Sequence, residues 1–413
     1  MRFFDFFKKK NGGVQASADH AAFAEFLRQG GDTASGAVVN MDTVMKTAVA
    51  WRCINVISGA IGSTPFDIVK RAGEFERKPA VGHSLRNILT VRPNKWQTPR
   101  EFRQMLQAHL LLRGNGYARK VYTGREITAL IPIHPDRVTP KQRTDLSMEY
   151  QVSSSSGQSM TLSQEQIFHL RGLTLDGVTG LSTLSYMREA VGLSLQGERA
   201  AARGMKNGTF SLVSLNHPQK LSKEAKESLS QGITDKFSGA ENAGKVPVFE
   251  EGLELKTVGM SAVDLQFLEL RDFQRNDVAM FFGVPPHIAG IPGAASNWGT
   301  GIEQQQIGFT TFTLLDWVRI WEETINRDLL DEKEREKLSA KFYLNGLLRG
   351  DLKARKEFYV AMLQWGVFSP DIVLALEDME PRADGKGGVY YDPPNVGTKK
   401  EKDKDEPEDA SDI

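Results

Sequence analysis

Residues 261–290 read SAVDLQFLELRDFQRNDVAMFFGVPPHIAG and predict a long helix that ends just before two prolines. Polar side chains crowd the first half of this helix, whereas its last turn is apolar. One end should therefore be exposed and the other packed against the protein. From residue 261 to 282 the helix would be about 30 Å long at 1.5 Å per residue. Pro285 and Pro286 lack a backbone N–H and are expected to stop it.

Residues 296–330 read SNWGTGIEQQQIGFTTFTLLDWVRIWEETINRDLL and predict a second long helix, from Ile302 to Leu330. The apolar residues on one face of this helix are Leu314, Trp317, Trp321 and Ile325. The segment 284–301 between the two helices is rich in glycine, small residues and amides, and it has no lysine or arginine. Because affinity for nucleic acid comes mainly from cations that neutralise phosphates, this segment cannot grip DNA by charge.

The sequence upstream of Leu184 predicts a mixed α+β region. Apolar residues from Met45 at i, i+4 and i+8 indicate a first helix. The sequence Thr98-Pro99-Arg100-Glu101 starts a second helix with a capping box and a proline at the first helical position. Gly114-Asn115-Gly116 ends that helix. Strands are predicted at residues 65–70, 117–122, 127–133, 150–152 and 166–170.

From Leu184 the pattern is helical as far as Asn207, where Asn-Gly is a stop signal. A compact insert is predicted between residues 210 and 260. Its predicted elements are a strand at 210–215, a helix at 222–237 and a pair of strands at 246–249 and 253–258.

The two ends of the chain differ from the rest. Residues 1–40 are expected to be loosely ordered and begin with MRFFDFFKKK, whose four phenylalanines are costly to leave in water. This favours an arm that grips a neighbour or a scaffold, with a disordered head as the alternative. Helices at 351–365 and 370–377 are predicted to form a terminal module. The mixed-charge tail from Lys399 is expected to be disordered.

Composition limits the partners and the compartment. Lysine plus arginine and aspartate plus glutamate both number 52, so the net charge is zero and contact with nucleic acid should be loose. Cys53 is the one cysteine, and its apolar neighbours predict a buried structural thiol. The start of the sequence lacks the features of a signal peptide, and no window reaches the ~20 apolar residues of a membrane span. A soluble protein of cytoplasmic origin is expected.

The sequence lacks the common motifs of enzymes. It has no G-x-x-x-x-G-K-[ST] phosphate loop, no dinucleotide fingerprint and no G-x-S-x-G elbow. The seven histidines lack zinc-site spacing, and His109 and His169 are interpreted as satisfied structural groups. Asp384–Asp392 lacks the alternating ligands of an EF-hand and is interpreted as a solvated turn. We predict no catalytic residue, no metal site and no cofactor.

Four stretches, taken in order, carry a resemblance to a known family. They are AVAWRCINVISGAIGSTPFDIVKR (48–71), NGYARKVYTGREITALIPIHPDRV (115–138), QIFHLRGLTLDGVTGLSTL (166–184) and the two long-helix sequences within 261–330. Together they resemble the portal proteins of long-tailed double-stranded DNA bacteriophages. The most specific part is the helix, the G-V-P-P stop, the loop and the (I/E)-Q-Q helix that ends in N-x-x-L-L. Asp316-Trp317 is a departure, because many relatives would carry a proline there.

The resemblance implies an α+β, portal-type fold with a mixed α/β wing, long stem helices, a small α/β clip, a tunnel loop and a helical crown. The implied segments are an N-terminal arm (1–40), the wing (41–183), a stem helix (184–209), the clip (210–260), a second stem helix (261–283), the tunnel loop (284–301), a long wing helix (302–345), the crown (346–395) and a disordered charged tail (396–413).

The resemblance also implies a function. A ring of about twelve copies would sit at one capsid vertex of the virion, after assembly in the host cytoplasm, and would conduct the genome during packaging and ejection. Its implied partners are other copies of the chain, double-stranded DNA bound without sequence specificity, the large terminase subunit, the major capsid or scaffold protein, and the head-tail connector. No membrane and no enzymatic activity are implied.

Two sets of candidate site residues follow from the resemblance. Those expected to touch DNA in the tunnel loop are Ile288, Ile291, Asn297 and Trp298. For Ile288 and Ile291 the alternative is packing against the wing. Those expected to pair between neighbouring stem helices are Arg271, Asp272, Arg275 and Asp277. Their alternative is an ordinary solvated helix face.

Two other functions are weighed against the portal. A DNA-processing enzyme or motor component of the same packaging system would need a phosphate loop or a carboxylate metal cluster, and the sequence offers neither. A monomeric binding module leaves no role for the polar half-helix and the glycine-rich loop.

Overall fold

A computed structural model describes the chain in several stretches. The described residues are 33–71, 77–153, 158–207, 212–216, 222–224, 227, 254–258, 272–291, 299–344, 352–377 and 379–392. They divide into two units, with the boundary between Tyr343 and Leu344. The first unit mixes helices with small sheets, as predicted. The MRFFDFFKKK head and the tail from Lys399 lie outside the described residues.

The helix predicted from Met45 begins earlier in the structure and is divided into two helices. They are α1 (Met41–Met45) and α2 (Ala48–Ser63). Asn40 caps α1, because its side chain accepts a hydrogen bond from the backbone N–H of Thr43 at 2.9 Å. Cys53 of α2 is buried as predicted, and burial raises the pKa of its thiol to about 12.

The first sheet joins distant parts of the chain. Its bounds, with the next helix, are β1 (Phe66–Arg71), β2 (Arg77–Pro79), β11 (Leu338–Phe342) and α3 (Ser84–Thr90). β1 lies between β2 and β11 and pairs antiparallel with both. β11 falls inside the segment 302–345 assigned to a long wing helix, so that assignment is wrong for these residues. The backbone of these residues pairs with β1 instead, and the buried carboxylate of Glu322 accepts a further hydrogen bond from Phe342 N at 2.8 Å.

The second and third sheets follow α4 (Pro99–Arg113). Their strands are β3 (Asn115–Thr123), β4 (Glu126–Ile133), β5 (Val138–Gln142), β6 (Met148–Ser153), β7 (Ser159–Ser163) and β8 (Ile167–Arg171). β3 lies between β4 and β8, and β5, β6 and β7 form an antiparallel meander. The predicted strands at 117–122, 127–133, 150–152 and 166–170 are confirmed within one or two residues at most ends.

Both predicted ends of α4 are confirmed. Thr98 Oγ1 accepts from Glu101 N, and the Glu101 carboxylate accepts from Thr98 N at 2.8 Å. These two bonds form the capping box. Gly114 ends the helix in the left-handed conformation, with φ of 70°.

Arg103 of α4 contacts four neighbouring elements, which are α2, α3, β1 and β11. Its guanidinium donates to the carbonyl oxygens of Gly62 and Leu89, near the ends of α2 and α3. It also lies over the rings of Phe66 and Phe342. Burial lowers the pKa of Arg103 to about 10.

The segments predicted to form the stem and the clip, residues 184–283, are described in part. Their elements are α5 (Thr183–Tyr186), α6 (Arg188–Asn207), β9 (Leu212–Asn216), β10 (Glu254–Val258) and a helix over residues 272–281, α7. The single helix predicted from Leu184 is interrupted at Met187. β10 pairs antiparallel with β9, whereas the sequence suggested a partner at 246–249, which lies outside the described residues.

The described residues between α7 and β11 form mainly short and long helices. The elements are α8 (Pro286–Ala289), α9 (Gly299–Phe309), a π-helical turn (Thr310–Leu314), α10 (Leu315–Asp328) and α11 (Glu332–Arg335). The predicted helix from Ile302 to Leu330 therefore begins three residues earlier and contains a π turn. That turn ends at Leu314, two residues before Asp316, and the helix continues through Asp316 and Trp317.

The second unit contains α12 (Leu352–Gln364) and α13 (Pro370–Leu376), as predicted. Asp384 forms an ion pair with Arg382 at 2.6 Å, which agrees with a solvated turn. In the described stretches no helix is long and apolar enough to cross a membrane.

Candidate functional site

The helix α7 is followed by a turn that contains Gly283. Gly283 has φ of 65°, a conformation that favours glycine, and the turn directly precedes the two prolines. Thr313 of the π turn donates its hydroxyl hydrogen bond to the Gly283 carbonyl at 2.7 Å. The end of α7 is thus attached to the π turn that follows α9. The segment between them, residues 284–301, is the predicted tunnel loop and is called the candidate loop below.

The first part of the candidate loop, residues 284–291, packs against the protein. Val284, Ala289 and Ile291 are buried, and Gly290 ends α8 in the left-handed conformation. Arg52 of α2 donates from Nε to the Ile288 carbonyl at 3.1 Å. This half of the loop is therefore a fixed turn supported by α2 and the π turn.

The structure treats the four tunnel-loop candidates differently. Ile291 is only 5% exposed, which agrees with the packing alternative for its side chain. Ile288 is half-buried. Asn297 and Trp298 lie outside the described residues, so their contact with DNA stays a prediction. The loop also ends earlier than Gly301, because α9 begins at Gly299.

The four stem candidates are only partly paired within one chain. Arg275 Nη1 contacts Asp272 Oδ1 at 3.0 Å within α7, and Asp272 is exposed. Asp277 is half-buried, and Arg271 lies outside the described residues. Pairing between neighbouring helices stays a prediction.

The segment 284–301 has no charged side chain of either sign. His287 is its one titratable group, and His287 Nδ1 is buried without a hydrogen-bond partner among the described residues. A segment of this kind can contact a polyanion by shape and by amide hydrogen bonds, but not by ion pairs.

Two supports of the loop were not apparent from the sequence. Arg52 lies 236 residues before Ile288, and Thr313 lies 30 residues after Gly283. No local pattern marks such long-range contacts. The nearest signal for Thr313 is the threonine-rich, glycine-containing run GFTTFT, residues 308–313, in the middle of a predicted helix.

A buried polar cluster joins α10 to the second sheet. Asn115 Oδ1 accepts a hydrogen bond from Gly180 N. An amide oxygen can only accept, so Nε2 of His169 carries the proton in its hydrogen bond to the same oxygen. The Tyr150 hydroxyl then donates to Nδ1 of His169, which requires the neutral ring. Asp328 of α10 accepts from the backbone N–H of His169 at 3.1 Å. His169 is a satisfied structural group, as predicted.

His109 differs from that prediction. Its Nδ1 is buried and has no hydrogen-bond partner among the described residues, and its ring lies 5.2 Å from that of His134. Burial, together with repulsion from His134, lowers the pKa of His109 to about 4. Burial and the nearby cations Arg171 and Arg327 hold the pKa of His169 well below its usual range. Among the described residues no three His, Cys, Asp or Glu side chains are grouped to hold a metal ion.

These two histidines predict a loss of stability in mild acid. The unfolded chain protonates histidine near pH 6.5, whereas folded His109 resists protonation down to about pH 4. The contribution of neutral His109 to the free energy of unfolding is therefore fully present above pH 6.5 and is lost as the pH decreases. For His109 alone the loss is about 2 kcal/mol at pH 5. The free energy of unfolding, measured at pH 7.5 and pH 5, should differ by less in His109→Gln. An equal difference in the variant and the parent would contradict this prediction.

Sequence comparison now identifies the family. The family model described as phage portal protein matches residues 48–378. The chain belongs to the phage portal protein family. It is 28% identical to the portal protein of Enterobacteria phage HK97 over 370 residues, which cover 88% of this chain and 87% of the relative. It is also 28% identical to a probable portal protein of Streptomyces phage phiC31, over 93% of this chain and 86% of the relative.

Solved structures support the portal-type fold. A chain from the neck of an empty gene transfer agent (GTA) particle, computed with C6 symmetry, gives a TM-score of 0.59 at 22% identity and covers 86% of this chain and 97% of its own. An HK97-family phage portal protein from Corynebacterium diphtheriae gives 0.56 at 18% identity, over 76% and 99%. The predicted α+β portal-type fold and the predicted portal family are confirmed. This portal family is structural rather than enzymatic.

Proposed function

We propose that this chain assembles into a ring of about twelve copies that conducts double-stranded DNA at one vertex of a phage capsid. The observation that carries the proposal is the uncharged segment 284–301, held between two helices in a member of the portal family. Ring symmetry in related particles supports it, because necks of GTA particles have been computed with C6 and C12 symmetry.

The electrostatics of the segment suit passage better than binding. A ring repeats each side chain about twelve times, so a single lysine per chain would place about twelve cations around the DNA. Affinity for phosphate rises steeply with the number of cations, and a moving duplex would be held. Segment 284–301 avoids this because it carries no lysine or arginine.

The contacts at the segment's near end support a fixed constriction. Gly283 is bound by Thr313, and Ile288 is bound by Arg52, so the backbone of 283–291 is attached to α2 and to the π turn. Contact with DNA is accordingly assigned to Asn297 and Trp298 first, with Ile288 second. Ile291 is assigned to packing.

The remaining segments take the roles that the family resemblance implies. Residues 41–183 and the α9–α10 helix form the wing, α6 and α7 the stem, 210–260 the clip and residues 346–395 the crown. Arg275 and Asp277 are proposed to contact the neighbouring stem helix. The large terminase subunit, the capsid or scaffold protein and the head-tail connector are the proposed partners, and the proposed location is the portal vertex of the virion.

Electron microscopy and native mass spectrometry of the purified chain test the ring. The expected result is a ring with an axial hole and a mass of about twelve chains. Arg275→Glu should lower the fraction of rings, whereas Arg382→Glu, which breaks an exposed ion pair in the second unit, should not. A monomer or dimer at high concentration would refute the conduit and revive the DNA-processing alternative. Equal ring fractions in both variants would refute the stem pairing.

A further inference from the structure

An open apolar groove lies between α2 and α4. Its volume is about 430 Å³. The apolar side chains that line it include Met45, Trp51, Ile54, Trp96 and Met105. Methionine adapts its shape to a ligand, and tryptophan is the residue that most often dominates binding energy. The lining therefore has the chemistry of a binding surface for aromatic or aliphatic side chains.

Two tryptophans stand at the groove with much of their surface in water. Trp51 is 53% exposed and Trp96 is 63% exposed. Single exposed apolar side chains are common on protein surfaces, but two exposed tryptophans that line one apolar groove indicate an interaction site.

The turn that carries Trp96 is held rigidly. Asn94 Oδ1 accepts from the backbone N–H groups of Trp96 and Gln97, and Asn94 Nδ2 donates to the Leu130 carbonyl. Arg92 donates to the carbonyl oxygens of Asn94 and Lys95. The backbone at Trp96 is thus held in place, and a ligand that covers the side chain need not order the turn.

The head of the chain offers a matching ligand. Residues 3–7 read FFDFF, and Phe3, Phe6 and Phe7 have the i, i+3, i+4 spacing by which apolar anchors enter a groove. Lys8, Lys9 and Lys10 follow directly. Glu101 is the one charged side chain among the described lining residues, so the groove has a carboxylate for these cations.

The tether is long enough for the head to reach the groove. Residues 11–32 separate it from Thr33, the first described residue, and 22 residues can span up to ~75 Å when extended. A tether of this length gives an effective concentration in the millimolar range, which favours binding within one chain.

We propose that residues Phe3–Phe7 occupy the groove between α2 and α4 of their own chain. Their phenyl rings contact Trp51 and Trp96, and the following lysines lie beside Glu101. The head is thereby bound along the surface of α2 and α4. This inference does not depend on the conduction of DNA, and it holds whether or not the chain forms a ring.

Residue-specific hydroxyl-radical labelling of the full chain tests the proposal. The parent is compared with a variant in which Phe3, Phe4, Phe6 and Phe7 are each changed to Ser. The labelling of Trp51 and Trp96 should increase several-fold in the variant. Trp365, a tryptophan of the second unit that is 64% exposed, is the matched control and should not change. Equal labelling in parent and variant would overturn the proposal. Protection of Trp51 and Trp96 that depends on protein concentration in the parent would assign the groove to a second copy and would also overturn the proposal.

Cross-linking supplies a second measurement that does not remove the aromatic head. Phe6→Cys is combined with Gln104→Cys on the groove wall, and in the control with Leu175→Cys, which is exposed elsewhere. Mild oxidation should link the first pair within one chain, because a disulfide needs Cα atoms about 4.4–6.8 Å apart. Links between chains, or equal yields for the two pairs, would contradict binding within one chain.

Discussion

Gly114→Ala is expected to lower the free energy of unfolding by more than about 3 kcal/mol. Two costs add. Gly114 has φ of 70°, where an alanine costs about 1–2 kcal/mol. A Cβ on Gly114 would also overlap the Leu181 carbonyl group, which is backbone and cannot rotate away. Displacing packed structure in this way costs about 1–3 kcal/mol or more.

Gly124→Ala is the matched control for this prediction. Gly124 has φ of 64°, but no atom lies within 4 Å of the place that an alanine Cβ would take, so only the conformational cost of about 1–2 kcal/mol applies. Chemical denaturation of both variants separates the two costs. Equal losses would show that the close approach of Gly114 to Leu181 does not matter. A larger loss for Gly114→Ala would establish that this contact positions the segment that leads into α5.

The helix ends were predictable from sequence because their signals are local. Thr98, Pro99 and Glu101 mark the start of α4 within four residues, and Gly114 marks its end. The two prolines placed the end of α7 within a few residues for the same reason. In the candidate site, this local chemistry located the loop but could not show which of its side chains turn inward.

The pairings between distant segments were not predictable. β1 pairs with β11, which lies about 270 residues later. The five residues of β11 alternate apolar and polar, as in a half-buried strand, but this short pattern does not identify the pairing partner. The stability of β11 comes from partners such as Glu322, which accepts from Phe342 N. A local pattern does not reveal contacts between distant segments, so residues 338–342 were assigned to the preceding long helix.

The π turn illustrates a further limit. A π turn inserts one residue into a helix and shifts the face that follows. The apolar pattern of Leu314, Trp317, Trp321 and Ile325 is compatible with a regular helix and gives no sign of the insertion. In the structure the turn directs Thr313 to the carbonyl oxygen of Gly283, a contact between residues 30 positions apart. The position of a π turn depends on contacts with distant residues, and the sequence of the helix alone does not show those contacts.

Trp321→Ala is expected to lower the free energy of unfolding by about 4–5 kcal/mol. Trp321 is fully buried in α10 and its ring lies 6.1 Å from that of Phe168. Removing a buried tryptophan leaves a cavity, which costs about 3–5 kcal/mol. Its indole N–H also donates to Gln107 Oε1 at 2.8 Å, and Gln107 is itself fully buried. The substitution therefore strands a polar group at a further cost of about 1–3 kcal/mol, part of which relaxation recovers.

A double-mutant cycle separates the cavity from the lost hydrogen bond. Trp321→Phe keeps most of the ring volume but strands Gln107, so it should cost more alone than when combined with Gln107→Leu. Equal costs would show that the bond contributes nothing. The anchoring matters beyond stability, because α10 continues from the π turn whose Thr313 binds Gly283. Loosening Trp321 should therefore increase amide hydrogen exchange at residues 283–291. Unchanged exchange there, despite a destabilised core, would show that Arg52 alone fixes the candidate loop.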